Sequence, residues 1–232
     1  MSYNLPKMSI DPDRVWHDNG FAVFDTETTG VEPDSKAVEI AVVHVDGAND
    51  DVSTWSVMLN PGCSIPKGAS KIHGITDAKV KEKGAFADVY DELVLQLRGK
   101  VPVAYNFSYD WQILRNEAKR LGKPWFGFFA IDPMVLARHF IPYVPGGYSL
   151  TSLTRHLDMH DDDAADHRAT DDAVHTAKVL LEGVASHLGE MTLRQLWNLQ
   201  VDAARAHEER MRIRIKSRPV DQPWHDYTRR ER

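Results

Sequence analysis

The sequence predicts an α/β fold: a five-stranded mixed sheet flanked by helices and continued by a helical C-terminal extension. Two observations carry that prediction. As far as about residue 132, short runs rich in β-branched residues alternate with segments whose apolar residues recur at helical spacing; beyond it the pattern is mostly helical. With 232 residues, 42% of them apolar, the chain suffices for one domain with a substantial core and an appendage.

Residues 1–19 read as a leader segment, 20–188 as the main domain, and 189–232 as the Arg-rich extension. GFAVF (20–24) is a continuous apolar run that ends in a turn-rich segment, the pattern of a strand buried on both faces. VEIAVVHV (38–45) and VSTWSVML (52–59) are strands, and DGAND between them signals a hairpin, which makes at least one pairing antiparallel. In FADVYDELVLQL (86–97), Val89, Leu93 and Leu97 share one helical face. VPVAY (101–105) is a short strand. A helix follows from about Asp110, with Trp111, Leu114, Ala118 and Leu121 in one stripe, and FFAID (128–132) reads as the fifth strand.

Pro133 suits the first turn of a short helix through Phe140, and PYVPGGY is a loop. Ser149 caps a further short helix, residues 169–188 form a long one, and a polar helix runs from Thr192 to about Lys216.

No apolar run approaches the ~20 residues that span a bilayer. The start MSYNLPKMSIDPDR lacks the basic-then-apolar order of a secretory signal, so a cytoplasmic protein without membrane contact is expected. Cys63, the single cysteine, has neither a disulfide partner nor a second thiol for zinc. A net charge of −6 argues against blanket electrostatic binding of nucleic acid, though not against an enzyme that acts on it. Residues 201–232 carry nine Lys/Arg against six Asp/Glu, so the acidic excess lies in the first 200 residues.

The chemistry is concentrated in three stretches. In FDTETTG (24–30), Asp25 and Glu27 stand at i and i+2 of a strand and therefore point the same way. Like charges held together in a partly buried place are destabilising unless something positive lies between them. A divalent cation supplies that charge, and all-oxygen ligands favour Mg²⁺ or Mn²⁺. An isolated pair of this kind is more often a solvated acidic turn. AYNFSYD (104–110), however, repeats the arrangement, with Asp110 at the start of a helix after a strand. HRATDDA (167–173) then brings His167 and Asp172 to a loop and the first turn of another helix. Each stretch alone has a bland reading as a cap or a solvated helix start; all three in this order do not.

These three motifs resemble those of the DEDDh exonucleases of the ribonuclease H-like superfold, typified by the proofreading epsilon subunit of bacterial DNA polymerase III. The resemblance covers roughly residues 20–187 and extends to NPGCSIPKGASKIHGIT, AIDPMVLARHF and YSLTSLTRHL. It implies that Asp25, Glu27, Asp110 and Asp172 ligate two divalent metal ions, Mg²⁺ or Mn²⁺, and that His167 is the general base that takes a proton from water. Asp171 adjoins Asp172, and the family spacing from His167 selects Asp172. The implied reaction releases nucleoside 5′-monophosphates from the 3′ end of a strand.

Substrate contacts implied by the resemblance are Thr28 at the terminal hydroxyl and a loop of Ile72, His73 and Gly74 against the last bases. Asn106 belongs to the same region, and Phe107 or Tyr109 would stack on an unpaired base, with core packing as the alternative. Two positions depart from the usual pattern: Tyr105 stands where many relatives carry His, and Tyr109 where Phe is common. The acidic run Asp161 to Asp163 reads as a solvated loop. RMRIRIKSR (210–218) could lie along DNA or a partner, with a solvated helix face as the default.

The expected activity is therefore 3′→5′ exonuclease action on single-stranded DNA, in proofreading or end-trimming, with a DNA polymerase as a candidate partner. The same chemistry on RNA is the alternative, since no residue decides 2′-hydroxyl recognition. A non-catalytic binding or polymerase-scaffold module is disfavoured, because it has no need for a costly carboxylate cluster.

Overall fold

The computed structural model describes residues 10–32, 34–46, 49–125, 129–159 and 168–214, with the side chains of 49–51 and 212–214 excepted. The order of elements is β1 (Phe21–Thr28), β2 (Ala37–Asp46), β3 (Asn49–Met58), α1 (Lys67–His73), α2 (Asp77–Val80), α3 (Phe86–Leu97) and β4 (Val101–Val103). It continues with α4 (Phe107–Arg120), α5 (Pro133–Phe140), α6 (Leu150–His156), α7 (Ala169–Lys178), α8 (Ala185–Leu188) and α9 (Leu193–Arg214), with a π-helical turn over Val179–Val184 joining α7 to α8. The sheet runs β3-β2-β1-β4. β1 and β2 pair antiparallel, as do β2 and β3, whereas β1 and β4 are parallel.

The fifth strand expected over 128–132 is reduced to one parallel bridge between Val103 and Ile131, so the sheet has four strands among the described residues. Ile131 exchanges backbone hydrogen bonds with Pro102 and Ala104, but the next amide, that of Asp132, donates to Gln200 Oε1 at 2.7 Å. Asp132 then caps α5 by accepting from the Met134 amide, and Pro133 begins that helix. The strand is stopped after one residue by the start of a helix.

Strand alternation divides the core in two. Phe21 and Val23 face one layer, shared with Leu136, Leu153, Ala173, Ala177 and Leu180; Ala22 and Phe24 face the other, shared with α3 and α4. Trp16, from the segment before β1 that reads as a leader, is buried in the first layer and donates its indole N–H to Gly189 O. The start of α9 joins the same layer through Leu193 and Leu196. Trp197 packs against the second layer and meets Phe129 edge to face.

Several boundaries differ from the sequence reading. α4 starts at Phe107, three residues early, because Asp132 caps it from outside. In α3 the buried stripe is Phe86, Tyr90, Leu93 and Leu97, not one through Val89, and Leu121 at the end of α4 is 38% exposed. The hairpin turn expected at Gly47 and Ala48, the acidic run Asp161 to Asp163 and most of the 210–218 stretch lie outside the described residues. None of the described helices is long and apolar enough to cross a membrane.

Candidate active site

β1 continues past the apolar run to Thr28, so Asp25 and Glu27 are strand residues on the same side as Phe21 and Val23. The pairing register of β1 with β2 shifts between Glu27 and Thr28, a bulge that turns the strand end beside the site. α7 packs over this face, against both β1 and β2, and presents Asp172 in its first turn. Carboxylate oxygens of Asp25, Glu27 and Asp172 lie within 4.8 Å of one another. Asp171, the alternative at this point, is exposed and lies outside that cluster.

Asp110 arrives from α4. It is 3% exposed, and its Oδ1 accepts from the Thr26 amide at 2.9 Å and from the Thr26 hydroxyl at 2.6 Å. It lines the same cleft as the other three acids, walled by Ile72, Tyr105 and Tyr109, but it stands beside the tight cluster rather than within it. The edge-to-face contact of Phe24 with Phe107, 5.6 Å between ring centres, packs β1 onto α4 and so sets this spacing.

The electrostatics follow from crowding. Burial, then the neighbouring Asp110, Asp172 and Glu27, raise Asp25 well above the usual carboxylate range. Burial, followed by Asp172, Glu39 and Asp110, pushes Glu27 up to about 8. Burial likewise lifts Asp110 to about 7, against the opposing pull of its Thr26 hydrogen bonds. Three acids that resist ionisation, with Asp172 beside them and all four offering oxygen, suit a hard divalent cation. The donor set fits the metal that the sequence motifs imply.

The expected substrate contacts divide. Ile72 is 62% exposed at the cleft wall. It lies on α1, and Gly74 is that helix's left-handed C-cap, so the expected loop is largely helical. His73 is 2% exposed and both ring nitrogens are engaged: Nδ1 accepts from the Ile75 amide and Nε2 donates to Thr28 O. It is a satisfied core histidine, and burial holds its pKa down. Phe107 is 1% exposed, stacked on Trp111 and unable to meet a base; the core reading replaces the stacking one.

Thr28, Tyr109 and Gly30 form a compact triangle: the two hydroxyl oxygens lie 2.8 and 2.7 Å from Gly30 O and 2.6 Å from each other, so their two protons are shared among the three contacts. Asn106 is exposed in a left-handed conformation, with its amide held by Asp132. Tyr105 donates to Tyr148 O across the cleft wall, and burial raises its pKa. His167 lies outside the described residues.

Three supporting residues, Asp132, Glu39 and its partner Arg168, escaped the sequence reading. Asp132, fully buried, accepts from the Asn106 and Phe107 amides and from that of Met134, and so caps α4 and α5 with one carboxylate. Glu39, 1% exposed within β2, takes a bidentate pair from Arg168. A glutamate inside VEIAVVHV was the available signal for Glu39; the local α5 cap of Asp132 is signalled by Asp before Pro, whereas its α4 cap reaches residues 25 and 26 positions away and left no signal.

The sequence profile of the exonuclease family matches residues 22–180. The chain belongs to that family. Relatives include a DNA polymerase III subunit epsilon-like protein of Rhodobacter capsulatus, 35% identical over 164 residues, which are 69% of this chain and 23% of that one. A DNA polymerase III PolC-type protein of Thermotoga maritima is 31% identical over 76% of this chain and 13% of its own length. The chain thus spans under a quarter of these relatives. The DNA polymerase III subunit epsilon of Treponema pallidum is 29% identical over 72% of this chain and 77% of its own.

Among solved structures, exonuclease X in complex with 5′ overhanging duplex DNA superposes with a TM-score of 0.61 at 24% identity, covering 78% of this chain and 99% of that one. The nuclease domain of 3′hExo, described as a DEDDh family member bound to rAMP, gives 0.65 at 16%, covering 77% and 98%. Both likenesses are of fold.

Proposed function

We propose that this protein is a metal-dependent 3′→5′ exonuclease that removes nucleoside 5′-monophosphates from the 3′ end of single-stranded DNA. The convergence of Asp25, Glu27 and Asp172 within 4.8 Å, with Asp110 beside them, carries the reading. Mg²⁺ or Mn²⁺, in a pair, would be held by these four carboxylates and would supply Lewis acidity toward the phosphate and acidify water.

The chain's own groups do the rest. Asp110 is fixed by Thr26 and needs no rearrangement, which lowers the cost of assembling the site. Ile72, at the cleft wall, supplies an apolar surface for the terminal base, and the triangle of Thr28, Tyr109 and Gly30 gives the cleft edge a rigid polar rim for the sugar. His167, on the chain just before α7, would accept the proton of the attacking water, since an unperturbed imidazole titrates near neutral pH. The relatives named as polymerase III proteins support DNA as substrate and a polymerase as partner, within an intracellular replication or repair setting.

RNA is the second reading, favoured by the fold neighbour solved with rAMP. The test is digestion of 5′-labelled single-stranded DNA and matched RNA with Mg²⁺, Mn²⁺ or EDTA, beside Asp25→Ala. A metal-dependent ladder shrinking from the 3′ end and lost in the variant is expected, with DNA cut faster; a faster RNA ladder would select the second reading. Failure to cut either with the folded, metal-loaded protein would overturn both.

A further inference from the structure

Glu39 is an acidic residue placed deep in β2, 1% exposed among Val38, Ile40 and Ala41, all fully buried. In the register of β1 with β2 it stands directly opposite Glu27, so the two side chains share a face. A carboxylate here adds negative charge beside a cluster that already repels itself, and it raises both Asp25 and Glu27. For stability alone, an apolar residue of similar size would serve as well or better.

What Glu39 does is reach the third motif. Its Oε1 accepts from Arg168 Nη2 at 2.7 Å and its Oε2 from Arg168 Nε at 3.1 Å, the two-pronged geometry that only a guanidinium offers. The same Oε2 accepts from the Ala169 amide at 3.3 Å, so Glu39 also caps α7, whose own N-cap residue, Arg168, makes no side-chain cap bond. The carbonyl of Arg168 in turn accepts from the Asp172 amide at 3.0 Å. One buried carboxylate is therefore a single helical hydrogen bond away from a member of the acidic cluster.

We propose that the Glu39–Arg168 pair is a positioning device for metal binding: it docks the first turn of α7 on β2 at the height and rotation that bring Asp172 to Asp25 and Glu27. The proposal rests on the metal-dependent reading of the site. It assigns Arg168 a geometric role, and this separates it from a purely electrostatic one. Arg168 lies close enough to Glu27 to favour its ionised form, and a cation in that place repels a bound metal ion. If charge were all that mattered, Arg168→Gln would tighten metal binding and Arg168→Lys would leave it unchanged.

The experiment is calorimetric titration of Mn²⁺ into the full chain, its Arg168→Lys, Arg168→Gln and Glu39→Gln variants, and the Glu39→Gln/Arg168→Gln double variant, with near-UV circular dichroism of each as a check of folding. Loss of a partner that orients metal ligands typically costs 10–100-fold in affinity, so a weakening of at least about 10-fold is expected for each single variant. The double variant should be no weaker than the worse single one, because both changes break the same link. Amide exchange supplies a second readout for any variant too unstable to titrate. Glu39→Gln should lose protection at residues 169–172 under conditions where β1 stays protected.

Arg168→Lys within about 2-fold of the parent, or Arg168→Gln binding more tightly, would overturn the proposal while leaving the enzyme reading intact. A parent chain that takes up no Mn²⁺ would overturn the metal-dependent reading and this proposal with it.

Discussion

Replacing Glu27 by Gln should make the metal-free protein more stable while it damages the site. Burial and the carboxylates of Asp172, Glu39 and Asp110 push Glu27 up to about 8 from an ordinary 4.5, so the folded state holds a proton that the unfolded chain has released. The sign follows from linkage: the stability tied to this proton is fully present below about pH 4.5 and is lost as pH rises through about 8. At pH 7 the gap above 4.5 is about 2.5 pH units, which at ~1.4 kcal/mol per unit costs the metal-free fold about 3 kcal/mol. Solvent at the open side of the cleft screens part of this, and a gain of about 1–3 kcal/mol is expected from the isosteric amide. Urea unfolding in EDTA, followed by tryptophan fluorescence, measures it directly. At about pH 5 parent and variant should differ by no more than about 1 kcal/mol. Saturating Mn²⁺ at neutral pH should reverse the order, since only the parent offers the full ligand set. A variant no more stable than the parent at pH 7 in EDTA, or a gain that ignores pH, would refute the crowding argument.

Asp132→Ala removes the cap shared by α4 and α5 and leaves three backbone N–H groups without their acceptor, so a loss of about 2–4 kcal/mol is expected in urea unfolding. Phe107→Ala should cost about 3–5 kcal/mol in the same measurement, as a core truncation does. Ile72→Ala, at a 62% exposed cleft residue, should leave stability within about 0.5 kcal/mol yet raise KM for a short single-stranded substrate in steady-state assays. If Phe107→Ala kept its stability and lost only substrate affinity, the core assignment would fall.

How far the sequence exposed this arrangement depends on the range of each interaction. Asp25 and Glu27 were legible because strand alternation is local: two residues apart means one face, whatever the rest of the chain does. α5 was legible end to end because Pro133 marks its first turn, a purely local signal. α1 was not, since its seven residues carry a glycine and no apolar stripe; it depends on packing by Ile65 and Ile75 and on the two hydrogen bonds of His73. The fifth strand failed for a similar reason, its last amide being claimed by Gln200, 68 residues away. Of the two readings open for Phe107, core packing holds, because starting α4 three residues early turns its ring to Phe24. The Glu39–Arg168 pair spans 129 residues and has no local pattern at all.

The supports have a common form. The four carboxylates of the cleft arrive on three segments, Asp25 and Glu27 together on β1, and the two that come from helices are held by anchors outside the cluster: Asp110 by Thr26 and, through the start of α4, by Asp132; Asp172 by Glu39 and Arg168 through the start of α7. Neither anchor needs to touch substrate. Without such anchors, mutual repulsion would let α4 and α7 relax outward by small rotations at little cost, because helix ends in general open more readily than core strands. The apolar layers on both faces of β1 then oppose the repulsion, with Phe24 and Phe107 locking α4 to one side and Phe21, Val23, Ala173 and Ala177 locking α7 to the other. The same strand thus bears the charges at its end and, a few residues earlier, the packing that holds them together, and weakening either layer should loosen the site before it unfolds the domain.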